Sequence, residues 1–135
     1  MEIIIHMDTK KIDTCFKEAI AEYVKRTSPF CKLSIKTYKN LIKLDMSKSS
    51  KKYIVSPSSN TITSEELASL IKELNLKGFS CIEFIVSNNA IHLEEYDTET
   101  FSVSSFSMST DLTTVVLTEQ LYRAYTILNN ITYHK

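Results

Sequence analysis

An α/β domain on a mainly parallel sheet is the fold class this sequence predicts, and three observations predict it. Short β-rich runs alternate with stretches of helical periodicity along the whole chain. One run, Cys81 to Val86, is almost continuously apolar, as strands buried on both faces are. The length, 135 residues with 43% apolar and 24% charged, suits one domain over residues 1–135 with one core.

Glu2 to Met7 forms the first β-rich run. After Asp8-Thr9, Ile12, Phe16, Ile20, Tyr23 and Val24 recur at helical spacing, and Ser28-Pro29 ends that helix. Leu33, Ile35 and Thr37 alternate with Ser34 and Lys36, which predicts a half-buried second strand. Lys39 to Lys52, rich in Lys and Ser, reads as a mobile connection with one helical turn at Leu41 to Leu44. Tyr53-Ile54-Val55 is the third strand, followed by the loop Pro57 to Asn60. Thr63-Ser64-Glu65-Glu66 has the form of a capping box ahead of Leu67, Leu70, Ile71 and Leu74, and Lys77-Gly78 closes this helix. After Cys81 to Val86 come a loop at Ser87 to Ala90 and an acidic turn or short helix at Leu93 to Glu99. Phe101, Val103 and Phe106, with serines between them, predict the fifth strand. Thr110 or Asp111 then caps a long helix carrying Leu112, Val115, Val116, Leu121, Tyr122, Tyr125 and Leu128.

Composition narrows the function classes. Glycine occurs once, at Gly78, where average usage predicts roughly nine. A P-loop and a Gly-x-Gly-x-x-Gly dinucleotide loop are thereby excluded, since both need several positions without a Cβ. No apolar run approaches the roughly 20 residues of a membrane span. The opening Met1-Glu2-Ile3 lacks the basic and apolar regions of a secretory signal, which predicts a cytoplasmic protein. Cys15, Cys31 and Cys81 are scattered and read as reduced, mostly buried thiols. His6, His92 and His134 have no ligand-spaced partner, so no metal site is expected.

The net charge of zero covers a split. Residues 1–52 hold 12 basic and 6 acidic residues, whereas residues 53–135 hold 4 and 10. Lys32, Lys36, Lys39, Lys43, Lys48, Lys51 and Lys52 have only Asp45 among them, a footprint suited to phosphate. The other reading is a pair of solvated faces, or faces that meet across subunits. A ligand site in such a sheet lies off the carboxyl ends of its strands, here Val55 to Asn60, Val86 to Ala90 and Phe106 to Asp111. None of these windows holds a compact Ser/His/Asp or Cys/His group.

The end of the chain is more specific. Glu119-Gln120-Leu121-Tyr122-Arg123-Ala124-Tyr125-Thr126-Ile127, Asn130 and the terminal Tyr133-His134-Lys135 resemble the C-terminal signature of RlmH-type ribosomal RNA large-subunit methyltransferases of the SPOUT superfamily. Weaker likeness covers nearly the whole chain, including Ala19 to Arg26, Ser64 to Ala68, Phe84-Ile85, and Asn89, Ile91 and His92. The resemblance implies a SPOUT-type α/β fold, mainly parallel with flanking helices, whose C-terminal trefoil knot is a rare exception to unknotted topology. It also implies an obligate homodimer that transfers a methyl group from S-adenosylmethionine to N3 of a pseudouridine in large-subunit ribosomal RNA. By the same resemblance Ser56, Ile85, Ser87, Asn88, Asn89, Ser107 and Met108 fall in the cofactor loops. Tyr133 and His134 belong to a catalytic tail, and Glu119, Tyr122, Arg123 and Lys135 to an RNA or dimer surface.

Two motifs depart from the family. Val86-Ser87-Asn88-Asn89-Ala90 replaces its Gly-Gly-x-x-Gly, and each added Cβ is expected to crowd a cofactor held against main chain. The Pro, His and Arg of its Thr-x-Pro-His-x-x-x-Arg are missing from Met108 to Thr114, where Asp111 adds negative charge. These departures predict a divergent copy with methyl transfer impaired or lost, serving as a binding or regulatory SPOUT-fold homodimer. The alternative is an active methyltransferase working on the large ribosomal subunit.

Overall fold

In β1 (Glu2–Met7) alternation assigns each side chain to a face: Ile3, Ile5 and Met7 point one way and are fully buried, and Ile4 and His6 point the other. The computed structural model describes residues 1–89, 93 and 95–133. Ala90, Ile91, His92, Glu94, His134 and Lys135, all named above, lie outside the described residues. After β1 follow α1 (Thr14–Thr27), β2 (Lys32–Thr37), a 3-10 turn at Leu41–Lys43, and β3 (Lys51–Val55). Then come α2 (Ser64–Leu76), β4 (Cys81–Val86), β5 (Thr98–Phe101) and α3 (Thr110–Leu128). The strands make one sheet in the order β2-β1-β4-β3-β5, with every neighbouring pair parallel.

Helices α1 and α2 share one face of the sheet, and α3 packs against both. The main core lies there. Ile3, Ile5, Leu33, Val55, Ile82 and Val86 from the strands meet Ile20, Leu67, Ile71, Leu74, Leu117 and Leu121 from the helices. Tyr53, Phe84 and Phe101 form an aromatic trio with ring centres 5.1 to 5.6 Å apart. Thr114, Thr118 and Thr126 are buried on α3, and their hydroxyls donate to the helix's own carbonyls at Thr110, Val115 and Arg123. With those groups satisfied, this side of α3 packs as a narrow, nearly apolar surface.

The opposite face carries a smaller cluster of Leu44, Met46 and Ile85, flanked by Tyr38, Leu41, Ile54, Leu93 and Tyr96. Leu44 and Met46 thus anchor the connection that composition alone reads as mobile. A buried polar network runs beneath it. His6 Nε2 donates to Glu83 Oε1 at 2.9 Å, and His6 Nδ1 lies 2.8 Å from the Tyr38 hydroxyl. Ser50 Oγ also donates to Glu83, and Lys52 Nζ donates to the Ser50 carbonyl at 2.9 Å and sits 5.6 Å from the centre of the Tyr96 ring. Burial pushes the Glu83 carboxyl upward, but hydrogen bonds from His6 and Ser50 and the charges of His6 and Lys52 outweigh it and hold the carboxyl below its usual range.

Most expected elements are present, including the capping box, in which Glu66 N donates to Thr63 Oγ1 and Thr63 N to Glu66 Oε1. Gly78, at φ +94°, ends α2 in a conformation that favours glycine. Four expectations are corrected. The fifth strand is Thr98–Phe101 and not Phe101 to Phe106, because its partner β3 stops at Val55, opposite Phe101. The N-cap of α3 is Ser109, whose Oγ accepts from Leu112 N at 3.1 Å; the Asp111 carboxylate instead accepts from Asp13 N at the start of α1. Leu112 is 37% exposed, since α3 turns its opposite side to the core. Of the cysteines only Cys31 is buried, while Cys81 is half-buried and Cys15 exposed.

Candidate functional site

Three loops meet beyond the carboxyl ends of β3, β4 and β5 and enclose a cavity of about 220 Å³. Val55, Ser56 and Pro57 come from the end of β3, and Val86 to Asn89 from the end of β4. Val103, Ser104, Phe106, Ser107 and Met108 come from the segment before α3, and Thr113 from its first turn. Main-chain bonds bind the first and third loops together. Ser56 N donates to Phe101 O, Ser58 N to Ser104 O, and Ile62 N to Ser102 O, at 3.0 to 3.2 Å, while Ser102 Oγ donates to Ser56 O at 2.5 Å.

The loop after β4 is held from β1. Asp8 N donates to Val86 O at 2.8 Å, and the Asp8 carboxylate accepts from Ser87 Oγ at 2.6 Å and from Asn89 Nδ2 at 3.1 Å. Among the described residues, positive φ occurs only at Gly78 and Asn130. Val86, Ser87, Asn88 and Asn89 therefore turn the chain in conformations open to any residue, and the cavity persists with a Cβ at each.

A second cluster lies along α3. Arg123 Nε donates to Glu119 Oε1 at 3.1 Å, in an ion pair four residues apart. The Tyr133 ring stands edge-on to Tyr122 at 5.0 Å and lies 5.2 Å from the Arg123 guanidinium carbon. Burial first, then a hydrogen bond with Tyr23 and the Glu119 charge, push the Tyr133 phenol up to about 12. This phenol stays protonated at neutral pH. Tyr122 lies about 14 Å beyond Thr113 along the helix axis, at 1.5 Å per residue.

The structure thus gathers Ser56, Ser87, Asn88, Asn89, Ser107 and Met108 around one cavity. Ile85 does not join them, because its fully buried side chain points to the opposite face of the sheet. Glu119, Tyr122, Arg123 and Tyr133 assemble elsewhere in the same chain, and His134 and Lys135 lie outside the described residues. Sequence reasoning passed over Asp8, the residue that fixes the β4 loop, since its partners are about 80 positions away.

The family model described as a predicted SPOUT methyltransferase matches residues 1–134. The chain belongs to the RlmH-type SPOUT methyltransferase family. It is 40% identical over its full length, and theirs, to the protein named Ribosomal RNA large subunit methyltransferase H 1 of Thermoanaerobacter sp. strain X514 and to Ribosomal RNA large subunit methyltransferase H 2 of Thermoanaerobacter pseudethanolicus. Ribosomal RNA large subunit methyltransferase H of Finegoldia magna is 31% identical over 88% of this chain and 90% of that protein.

SPOUT methyltransferases as a family use S-adenosylmethionine, and the cavity can be tested for it. Val55, Val86, Val103 and Met108 offer apolar walls, and Ser56, Asn88 and Ser107 offer polar side chains, so the residues present fit a nucleoside sulfonium. The volume falls below the roughly 300–1,000 Å³ of small-molecule pockets. Among the described residues no group of three or more His, Cys, Asp or Glu side chains could hold a metal, and no helix is long and apolar enough to cross a membrane.

Proposed function

We propose that this chain is an active methyltransferase that uses S-adenosylmethionine to modify large-subunit ribosomal RNA, as a single-domain protein in the cytoplasm. The observation that carries the reading is the open, unstrained cavity at the ends of β3, β4 and β5 in a chain so closely related to proteins named for that activity. It favours activity over the loss that the missing glycines suggest. Asp111 argues the same way, since its carboxylate serves the start of α1 and does not project into the cavity lining.

When bound, S-adenosylmethionine supplies an electrophilic methyl group on sulfur. The chain's part is to seat it: Asp8 fixes the β4 loop, and Ser56, Ser87, Asn88, Asn89, Ser107 and Met108 shape the walls. Tyr133, neutral at physiological pH, positions a partner by hydrogen bonding and does not serve as a phenolate base. By the family resemblance, removal of the target imide proton falls to His134.

Within one chain Tyr133 and the cavity stand at different stations of α3, so a homodimer in which the tail of one subunit covers the cavity of the other unites them. The exposed Leu112 and Ile127 on the outer side of α3, at 37% and 39%, suit that interface. The main-chain ties between residues 56–62 and 101–104, through which the chain passes before entering α3, suit the C-terminal knot of the family.

Calorimetric titration with S-adenosylmethionine and S-adenosylhomocysteine tests the reading, together with methyl transfer to large subunits lacking the modification. Micromolar binding with transfer is the expected result. No heat at millimolar ligand returns the chain to the binding or regulatory role.

A further inference from the structure

Outside the cavity, a cluster of exposed lysines lies at the carboxyl edge of β1 and β2. Lys10, Lys11 and Lys17 line a shallow cleft with Ile12, Ile35 and Thr37, and Lys36 and Lys39 flank Thr37 in the chain. All five lysines are exposed, and among the described residues none has a carboxylate within ion-pair distance. The neighbouring acids are committed elsewhere. Asp8 accepts from Ser87 and Asn89, Asp13 caps α1 by accepting from Cys15 N, and Asp111 accepts from Asp13 N.

The cleft and the cavity lie along the same carboxyl edge of the sheet. Tyr38 N donates to both Met7 O and Thr9 O, which binds the ends of β1 and β2 together, and Asp8 links the same corner to the β4 loop. In the strand order β2-β1-β4-β3-β5 the lysines stand over the first two strands and the cavity over the last three. One or two strand spacings, about 5–10 Å, separate them. Neighbouring nucleotides of one RNA strand cover that distance.

We propose that the lysine-lined cleft at the carboxyl edge of β1 and β2 holds the phosphate backbone of the RNA strand next to the target nucleotide, and so delivers that nucleotide to the β3–β4–β5 cavity. This rests on the reading of the chain as a ribosomal RNA methyltransferase. Lysines without arginine or an aromatic platform bind phosphate as point charges and read no base edges, so the cleft positions the strand and leaves selection to the cavity. Its place on the same sheet edge as the cavity favours RNA over an acidic protein segment.

The test uses the full-length wild type, the triple variant Lys10→Gln/Lys11→Gln/Lys17→Gln, and the control Lys72→Gln/Lys77→Gln on α2. Each is titrated with a fluorescein-labelled single-stranded oligouridylate and with isolated large subunits over a salt series. Each phosphate that is no longer neutralised lowers the slope of log affinity against log salt by about 0.7 for single strands, so the slope should fall by about 2 in the triple variant and stay unchanged in the control. S-adenosylmethionine binding by calorimetry should be equal in all three proteins. An unchanged slope and affinity in the triple variant, with its thermal melt intact, overturns the proposal, as does equal competition by polyglutamate. A wild type that binds RNA with the lysine-dependent slope but takes up no S-adenosylmethionine keeps the cleft and sinks the methyltransferase reading. S-adenosylmethionine uptake with no RNA binding does the reverse.

Discussion

Replacing Glu83 by Gln keeps its volume and removes its charge. The carboxylate is 1% exposed and accepts from His6 and Ser50, while Lys52, 3% exposed, depends on it for electrostatic balance. Hydrogen bonds to a charged group are worth about 1.5–3 kcal/mol each. A Gln side chain in its place accepts both more weakly and turns an amide N–H toward one donor, which places the loss at about 3 kcal/mol. For a domain between the 60–100 and 150–250 residue classes, that corresponds to a fall in Tm of about 10 °C. Urea unfolding at fixed protein concentration, followed by far-ultraviolet circular dichroism because the chain has no Trp, measures it directly. The pH dependence has a definite sign. A carboxyl whose folded pKa is depressed stabilises fully above its unfolded value, roughly 4.3, and loses that contribution as pH falls through the folded value. The gap between wild type and variant should therefore be full at pH 7 and narrow below about pH 4. A loss under about 1 kcal/mol, with a gap that ignores pH, would mean that Glu83 enters the fold protonated and that the network is not ionic.

Two further outcomes bear on the site. Val86→Gly, which restores a glycine typical of the family, should leave S-adenosylmethionine affinity within about twofold in calorimetry and lower stability by about 2 kcal/mol in urea, since Val86 is 2% exposed and unstrained. A marked gain in affinity would show that its Cβ does obstruct the ligand. Tyr133→Phe should preserve the edge-on packing against Tyr122 and the thermal melt, yet lower methyl transfer roughly tenfold; the wild-type pH–rate profile should show no tyrosine limb between pH 6 and 9, given a phenol near 12.

Much of the fold was legible because its signals are local. The capping box at Thr63, the apolar run of β4 and the alternation of β2 each lie within a few residues, and each element stands where those signals put it. The fifth strand was misplaced because Thr98–Phe101 is only four residues long, half exposed at the sheet edge, and followed by a Ser-Val-Ser-Ser-Phe stretch whose alternation imitates a strand. At the start of α3, Ser109, Thr110 and Asp111 are all good capping residues, and only the observed hydrogen bond chooses among them. For the site, the rule that ligands lie off strand carboxyl ends marked the windows holding most of the cavity lining, and left out Val103, Ser104 and Thr113. The His6–Glu83–Ser50 network was out of reach. Its members are 33 to 77 positions apart, and Glu83 looks in sequence like a mere interruption of an apolar run.

Helix α3 links the cavity to the Tyr133 cluster. Thr113 at its start closes the cavity, while Tyr122 and Arg123 near its end support Tyr133, and the buried threonines between them fix the helix in its slot. It therefore behaves as a ruler, setting both the separation and the angular phase of the two stations. One residue inserted between Thr114 and Thr118 advances the far station by about 1.5 Å and turns it by about 100°. A point change on its outer side leaves this spacing intact, whereas a change in its length shifts both the packed face and the aim of the tail.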